Sequence, residues 1–143
     1  MIKFISAEDT LTLRSSTLRE GLDPELCRFE GDEDELSFHL GYFKDDILVC
    51  IASFHQLGRE GFNETGYQLR GMATLADYQG TGIGNQLVNF SIVYLRGQKA
   101  NYVWCNARKL AFRFYTGLGF EFISEEFDIP GIGLHKAMYL KIQ

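Results

Sequence analysis

Apolar and polar positions along the chain follow two rhythms, one of period two and one of helical period. "IKFIS" at the start reads as a strand, and "AEDTLTLRSSTLRE" after it as a helix with Leu11 and Leu18 at helical spacing. "GLDPELCRFEGDEDE" carries Pro24, two glycines and an acidic run, and reads as a loop. "LSFHLGYF" and "ILVCIASFHQL" are strands on either side of "KDD", a hairpin. "YQLRGMAT" is a further strand. From about Gly82 to Gly97, the spacing of Ile83, Leu87, Phe90 and Tyr94 predicts a helix with one apolar face. "NYVWCNA" is the next strand, and "RKLAFRFYTGL" a short helix stopped at Gly119, a residue suited to a helix C-terminus. "FEFISEEF" and "HKAMYLKI" close the chain as two strands around "DIPGIG".

The strand-helix-strand-helix order of the second half calls for parallel pairing, and the hairpins for antiparallel pairing elsewhere. The expected architecture is α/β (α+β), a mixed and strongly twisted sheet covered by helices. No repeat, low-complexity tract or linker interrupts the 143 residues, so one domain over 1–143 is expected. A chain of this length buries roughly two-thirds of its unfolded surface.

Composition narrows the function. The net charge of −5 argues against a nucleic-acid surface, which needs a basic stripe, and suits a cationic partner such as a substrate amine. The acidic run from Glu30 to Glu35 reads as a solvated loop or as one wall of an amine-binding cleft. Apolar runs fall far short of the ~20 residues a membrane span needs. "MIKFISAEDT" has acidic residues where a signal peptide would continue its apolar run. Cys27, Cys50 and Cys105 show no CxxC spacing, which fits reduced thiols in the cytoplasm. His39, His55 and His135 are equally scattered, so no metal site is expected.

The most distinctive stretch is "ADYQGTGIGNQLV", where glycines run straight into a helix. Unpaired N–H groups at a helix start, with the aligned peptide dipoles, attract anions, and glycines let a ligand approach the backbone. A phosphate cradle follows. The P-loop needs Lys and then Ser or Thr after its last glycine, but Asn85 and Gln86 follow Gly84. The dinucleotide fingerprint needs a wider third spacing and a later acidic residue, and "WCNARK" has none.

The spacing that fits is Q-x-x-G-x-G, at Gln79, Gly82 and Gly84, and here the chain resembles the GNAT superfamily of acyl-CoA-dependent N-acetyltransferases. A second block, "LAFRFYTGLGFEF", is similar to that family's A-x-x-x-Y-x-x-x-G-F signature at Ala111, Tyr115, Gly119 and Phe120. The blocks stand in the family's order, with a helix and a strand between them.

The resemblance implies a GNAT sheet of about six to seven strands with a central splay and about four helices. It implies acetyl-CoA as co-substrate, with Gln79, Gly80, Thr81, Gly82, Ile83 and Gly84 holding the pyrophosphate through main-chain N–H groups and Asn85 adding a donor. Met72, Ala73 and Thr74 would offer strand backbone to the pantetheine arm. Tyr115 would be the catalytic acid that protonates the leaving thiolate, a role suited to a phenol of pKa ≈ 10. Packing between Phe112, Phe114 and Phe120 is its alternative role.

The chain departs from the family pattern at two positions, and at the first, Gln79, many relatives carry Arg, which also supplies donors. Arg108 occupies a position where many relatives have Asn, so Asn106 is the candidate for cofactor contact, with Arg108 and Arg113 as phosphate partners or surface residues. The general base is not singled out among Glu33, Glu35 and Glu64. Cys105, on a strand without an adjacent His, reads as packing rather than an acyl-enzyme nucleophile, so direct transfer to a primary amine in a ternary complex is expected.

Two other functions compete: a non-catalytic coenzyme A-binding module of the same fold, and a nucleotide-binding domain of another class. The acceptor, a small molecule or a peptide amine, carries no recognisable code in the chain. The aromatic-rich terminal strands are candidates for pairing two chains into a homodimer.

Overall fold

A computed structural model describes residues Met1–Gln143. In chain order the elements are β1 (Ile2–Ile5), α1 (Ala7–Leu13), β2 (Phe38–Lys44), β3 (Ile47–Gln56), β4 (Gly66–Thr74), α2 (Ile83–Gly97), β5 (Tyr102–Arg108), α3 (Phe112–Gly117), β6 (Glu121–Phe122), β7 (Phe127–Ile129) and β8 (Gly133–Lys141). The strands hydrogen-bond as one mixed sheet in the order β1-β2-β3-β4-β5-β8-β6, with β7 also on β8. The expected class is correct, with eight strands rather than six to seven and three α-helices rather than four. No helix is long and apolar enough to cross a membrane.

By contacts the chain divides into two compact units, Met1–Gln56 with Leu69–Ser91, and Leu57–Gln68 with Ile92–Gln143. In the first, Ser6 and Asp9 close a capping box on α1: the Ser6 hydroxyl accepts from the Asp9 N–H at 3.2 Å, and the Asp9 carboxylate accepts from the Ser6 N–H at 3.1 Å. The expected helix runs to Glu20, but the α-helix ends at Leu13 and Arg14–Leu18 widens into a π turn. β1 and β2 pair antiparallel from Ile2↔Tyr42 to Ile5↔His39, and β2 and β3 form the expected hairpin. Asp45 and Asp46 turn it with φ of 51° and 65°, a left-handed pair that short Asx side chains tolerate. Leu13, Ile51 and Ala73 form a core on which Ile5, Leu18, Leu48 and Leu75 pack.

In the second unit, Gly66–Gln68 of β4 pair parallel with Tyr102–Trp104 of β5, as the alternation of strands and helices required. β5 then pairs antiparallel with β8 over seven residues, Tyr102↔Lys141 to Arg108↔His135. The indole N–H of Trp104 donates to the Leu57 carbonyl at 2.8 Å, and the Tyr102 hydroxyl accepts from the Arg59 N–H at 2.8 Å.

Two expectations fail locally. "FEFISEEF" is not one strand but two, β6 and β7, both on β8. Between them the Ser124 hydroxyl accepts from the Ala137 N–H at 2.8 Å, a side chain taking a bond that a strand carbonyl would otherwise hold. On α2, Phe90 is 38% exposed and meets Phe4 edge-on at 6.1 Å. The buried positions are Ile83, Leu87, Val88, Ser91, Ile92 and Leu95, and Ser91 is satisfied by donating to the Val88 carbonyl at 2.6 Å.

Candidate functional site

The glycine turn lies in the first unit. β4 delivers Met72, Ala73 and Thr74, of which Ala73 is buried in the core and the other two are partly exposed. Gln79 folds back, its side-chain amide donating one N–H to the Thr74 carbonyl at 3.1 Å. Thr81 likewise donates its hydroxyl to the Tyr78 carbonyl at 2.5 Å. Gly80 and Gly82 have φ of 75° and 87°, and a Cβ built on either would meet nothing within 4 Å. Backbone conformation therefore demands glycine at both, and the space above them is open. A side chain there would cost about 1–2 kcal/mol.

α2 starts at once behind the turn, held by the buried Ile83, with Gly84 and the exposed Asn85 in its first turn. No acidic residue stands in that turn to meet the dipole. Orphan N–H groups and about half a positive charge are thus presented behind an exposed, glycine-lined approach, which fits a pyrophosphate.

Tyr115 lies on α3, in the second unit. It is 5% exposed and packs edge-on or tilted between Phe114 at 5.0 Å and Phe120 at 5.2 Å. Its hydroxyl hydrogen-bonds the thiol of Cys105 on β5. Burial pushes that thiol up to about 12 against the opposing effect of the Tyr115 bond, so Cys105 stays protonated at neutral pH and is a poor nucleophile. Asn106, the next residue of β5, is exposed, and by strand alternation its side chain lies on the opposite face from Cys105. Arg108 is partly exposed, while Arg113, Glu33, Glu35 and Glu64 are exposed.

A third arrangement was not legible in the sequence. Asp32, from the acidic run, is 5% exposed rather than solvated. It accepts two bonds from the Arg14 guanidinium (2.7 and 3.1 Å), one from His55 Nε2 (3.0 Å) and one from the Phe29 N–H (3.0 Å). Arg14 also donates to the Ser53 hydroxyl at 2.7 Å and to the Cys27 carbonyl at 3.1 Å. Ser53 in turn lies 2.7 Å from His39 Nδ1, and His39 Nε2 is 3.0 Å from the Asp32 carbonyl.

Burial works to raise the Asp32 carboxyl, but the bonds from His55, Arg14 and Phe29 outweigh it and hold the group well below the usual carboxylate range. Burial lowers His39, so its ring is neutral; its Nε2 donates to the Asp32 carbonyl and its Nδ1 accepts from Ser53. The one sequence signal was Ser53 and His55 at alternate positions of an otherwise apolar strand, polar groups that burial obliges to find partners.

Comparison with known proteins bears out the family resemblance. The family model described as "Acetyltransferase (GNAT) domain" matches residues 10–141. An uncharacterized N-acetyltransferase of Bacillus subtilis (strain 168), YitI, is 42% identical over 139 residues, covering 96% of this chain and 93% of the relative. Among solved structures, an aminoglycoside 6'-N-acetyltransferase complexed with coenzyme A superposes with a TM-score of 0.78 at 15% identity, covering 100% of this chain and 97% of that one. The ribosomal-protein-S18-alanine N-acetyltransferase of Escherichia coli gives 0.77 at 18% identity, covering 100% and 94%. With a family match over nearly its whole length and a relative at 42% identity, the chain belongs to the GNAT acetyltransferases.

Proposed function

We propose that residues 1–143 act as a single N-acetyltransferase domain that moves an acetyl group from acetyl-CoA to a primary amine by direct attack. The observation that carries this is the exposed glycine turn feeding the acid-free first turn of a 15-residue helix. Main-chain N–H groups from Gln79 to Gly84 hold the pyrophosphate, with Asn85 beside them. Backbone at Met72, Ala73 and Thr74 receives the pantetheine arm. Acetyl-CoA supplies the activated acyl carbon.

As the amine displaces sulfur, negative charge grows on the leaving thiolate, and Tyr115 supplies the proton that quenches it. Its hydroxyl already serves a sulfur acceptor, Cys105, so the acid role exchanges one sulfur partner for another. The protonated Cys105 thiol favours direct transfer over an acyl-enzyme. Asn106, exposed on β5, remains a candidate contact for the cofactor. The general base is not one of the four-bonded Asp32 oxygens, whose lone pairs are filled. Three free, buried thiols support a reducing, cytoplasmic setting.

Tyr115→Phe tests the assignment. Turnover should fall by about 10²-fold, the usual scale of a general-acid contribution, while acetyl-CoA binding by calorimetry stays within a few-fold of wild type. Binding of acetyl-CoA without its consumption by any amine would instead favour a regulatory coenzyme A-binding module.

A further inference from the structure

Phe29 is flanked by two guanidinium groups, Arg14 with its central carbon 3.8 Å from the ring centroid and Arg70 at 4.1 Å. The two cations differ in how they are used. Arg14 is consumed: both terminal nitrogens are bonded to Asp32, one also to Ser53 and the other to the Cys27 carbonyl. Its Nε is buried without a partner, facing Gly71, where an added Cβ would come within 3.1 Å of it. Arg70 on β4 is only partly buried and has neither an ion pair nor a side-chain hydrogen bond.

The neighbouring carboxylate acts on Arg70 only through space, without a hydrogen bond. Asp32 already receives four hydrogen bonds, which fills its two oxygens. Two guanidiniums therefore share one saturated carboxylate, and His39 beside them is neutral. Arg70 is thus the guanidinium of the pair that keeps its five N–H donors without a hydrogen-bond partner. The Phe29 main chain is held by its N–H donating to Asp32 at 3.0 Å, and its ring is held by Arg14 at 3.8 Å and by His55, which meets it edge-on at 6.3 Å. Stacking on a fixed ring orients Arg70 in advance, which lowers the ordering cost of binding a planar anion.

We infer that Arg70, laid on Phe29, is the subsite for a carboxylate borne by the acceptor, so that the substrate class is amino acids or other amines carrying an acid group. Arg70 precedes Met72 by two residues, roughly 7 Å along a strand. An amine anchored there by its carboxylate stands beside the strand backbone assigned to the pantetheine arm. This inference rests on the acetyltransferase reading above. In it Arg14 and Asp32 are positioning residues that hold the Phe29 platform, and Arg70 makes the contact with substrate.

The test is a panel of L-amino acids, each paired with its own carboxamide, assayed with acetyl-CoA by wild-type protein, Arg70→Gln and Arg70→Lys. Wild type should favour free acids over carboxamides by about 10- to 100-fold in kcat/KM, expressed mainly in KM. That ratio should fall to near one in Arg70→Gln and to an intermediate value in Arg70→Lys, which keeps the charge and loses the fork. Melting curves report whether each variant is folded.

A wild-type ratio near one overturns the inference whatever the variants do, as does a ratio that survives in folded Arg70→Gln. If carboxamides are acetylated without preference, the acetyltransferase reading stands and only the anionic subsite falls. If no member of the panel and no other amine is acetylated, and acetyl-CoA does not bind, both fall together.

Discussion

Replacing Asp32 by Asn keeps the shape of the buried cluster and removes its only carboxylate. Asn retains one acceptor oxygen for four donors, and its amide hydrogens turn toward the guanidinium of Arg14 and the N–H of His55 or Phe29. Arg14 cannot move its charge to solvent, since its side chain is 1% exposed. Breaking a buried pair from one side costs about 3–5 kcal/mol, several times the net value of an ordinary hydrogen bond. A protein of this size loses about 2–4 °C of Tm per kcal/mol, so a fall on the order of 10 °C is expected.

The pH arm has a definite sign. The folded carboxyl titrates below the ordinary value of about 3.9, so the unfolded chain takes up its proton first on acidification. The stabilisation is fully present above about pH 5 and is lost as pH falls through 4 and below. The contribution of Asp32 itself should therefore shrink as pH falls through 4, so wild type and Asp32→Asn should converge in acid. Urea unfolding and melts across that range measure both. A loss under about 1 kcal/mol at pH 7, or a gap that widens toward pH 3, would refute the reading of Asp32 as a paired buried anion.

Two further outcomes follow from local geometry. Gly82→Ala forces an L side chain to φ of 87°, so it should cost about 1–2 kcal/mol of stability and weaken acetyl-CoA in calorimetry; undiminished affinity would mean that the turn does not hold the pyrophosphate. Cys105, 2% exposed with its thiol near 12, should resist iodoacetamide in native protein at pH 8 and react once the chain is unfolded in urea. Rapid native alkylation that abolishes turnover would bring the acyl-enzyme route back.

What the sequence disclosed depended on whether a residue's role is set locally. The hairpin at Asp45 and Asp46 and the cradle at Gly80 and Gly82 were legible because each needs a backbone conformation that few residue types adopt. Strand-level patterning likewise located β1 to β5 and the parallel pair. Asp32 was hidden for the opposite reason. Nothing within the run from Glu30 to Glu35 distinguishes it, and its burial is decided by Arg14, 18 residues away, and by His55, 23 residues away. The break between β6 and β7 turns on one Ser124 hydroxyl, too small a signal to interrupt an alternating pattern. Phe90 was assigned to the buried face by spacing alone, whereas its exposure reflects the partner it meets, Phe4.

β8 is the last strand to be made, and β5, β6 and β7 all find an antiparallel partner in it. During synthesis the strand carrying Cys105 and Asn106 must wait with one edge open until Gly133–Lys141 has emerged. Residues 1–56 and 69–91 have all been translated by then. Pairings at long sequence separation form slowly, and an open apolar edge invites association with other chains. The interval before β8 arrives is when the nascent enzyme is most exposed to aggregation, and slow translation just upstream of Gly133 would lengthen it.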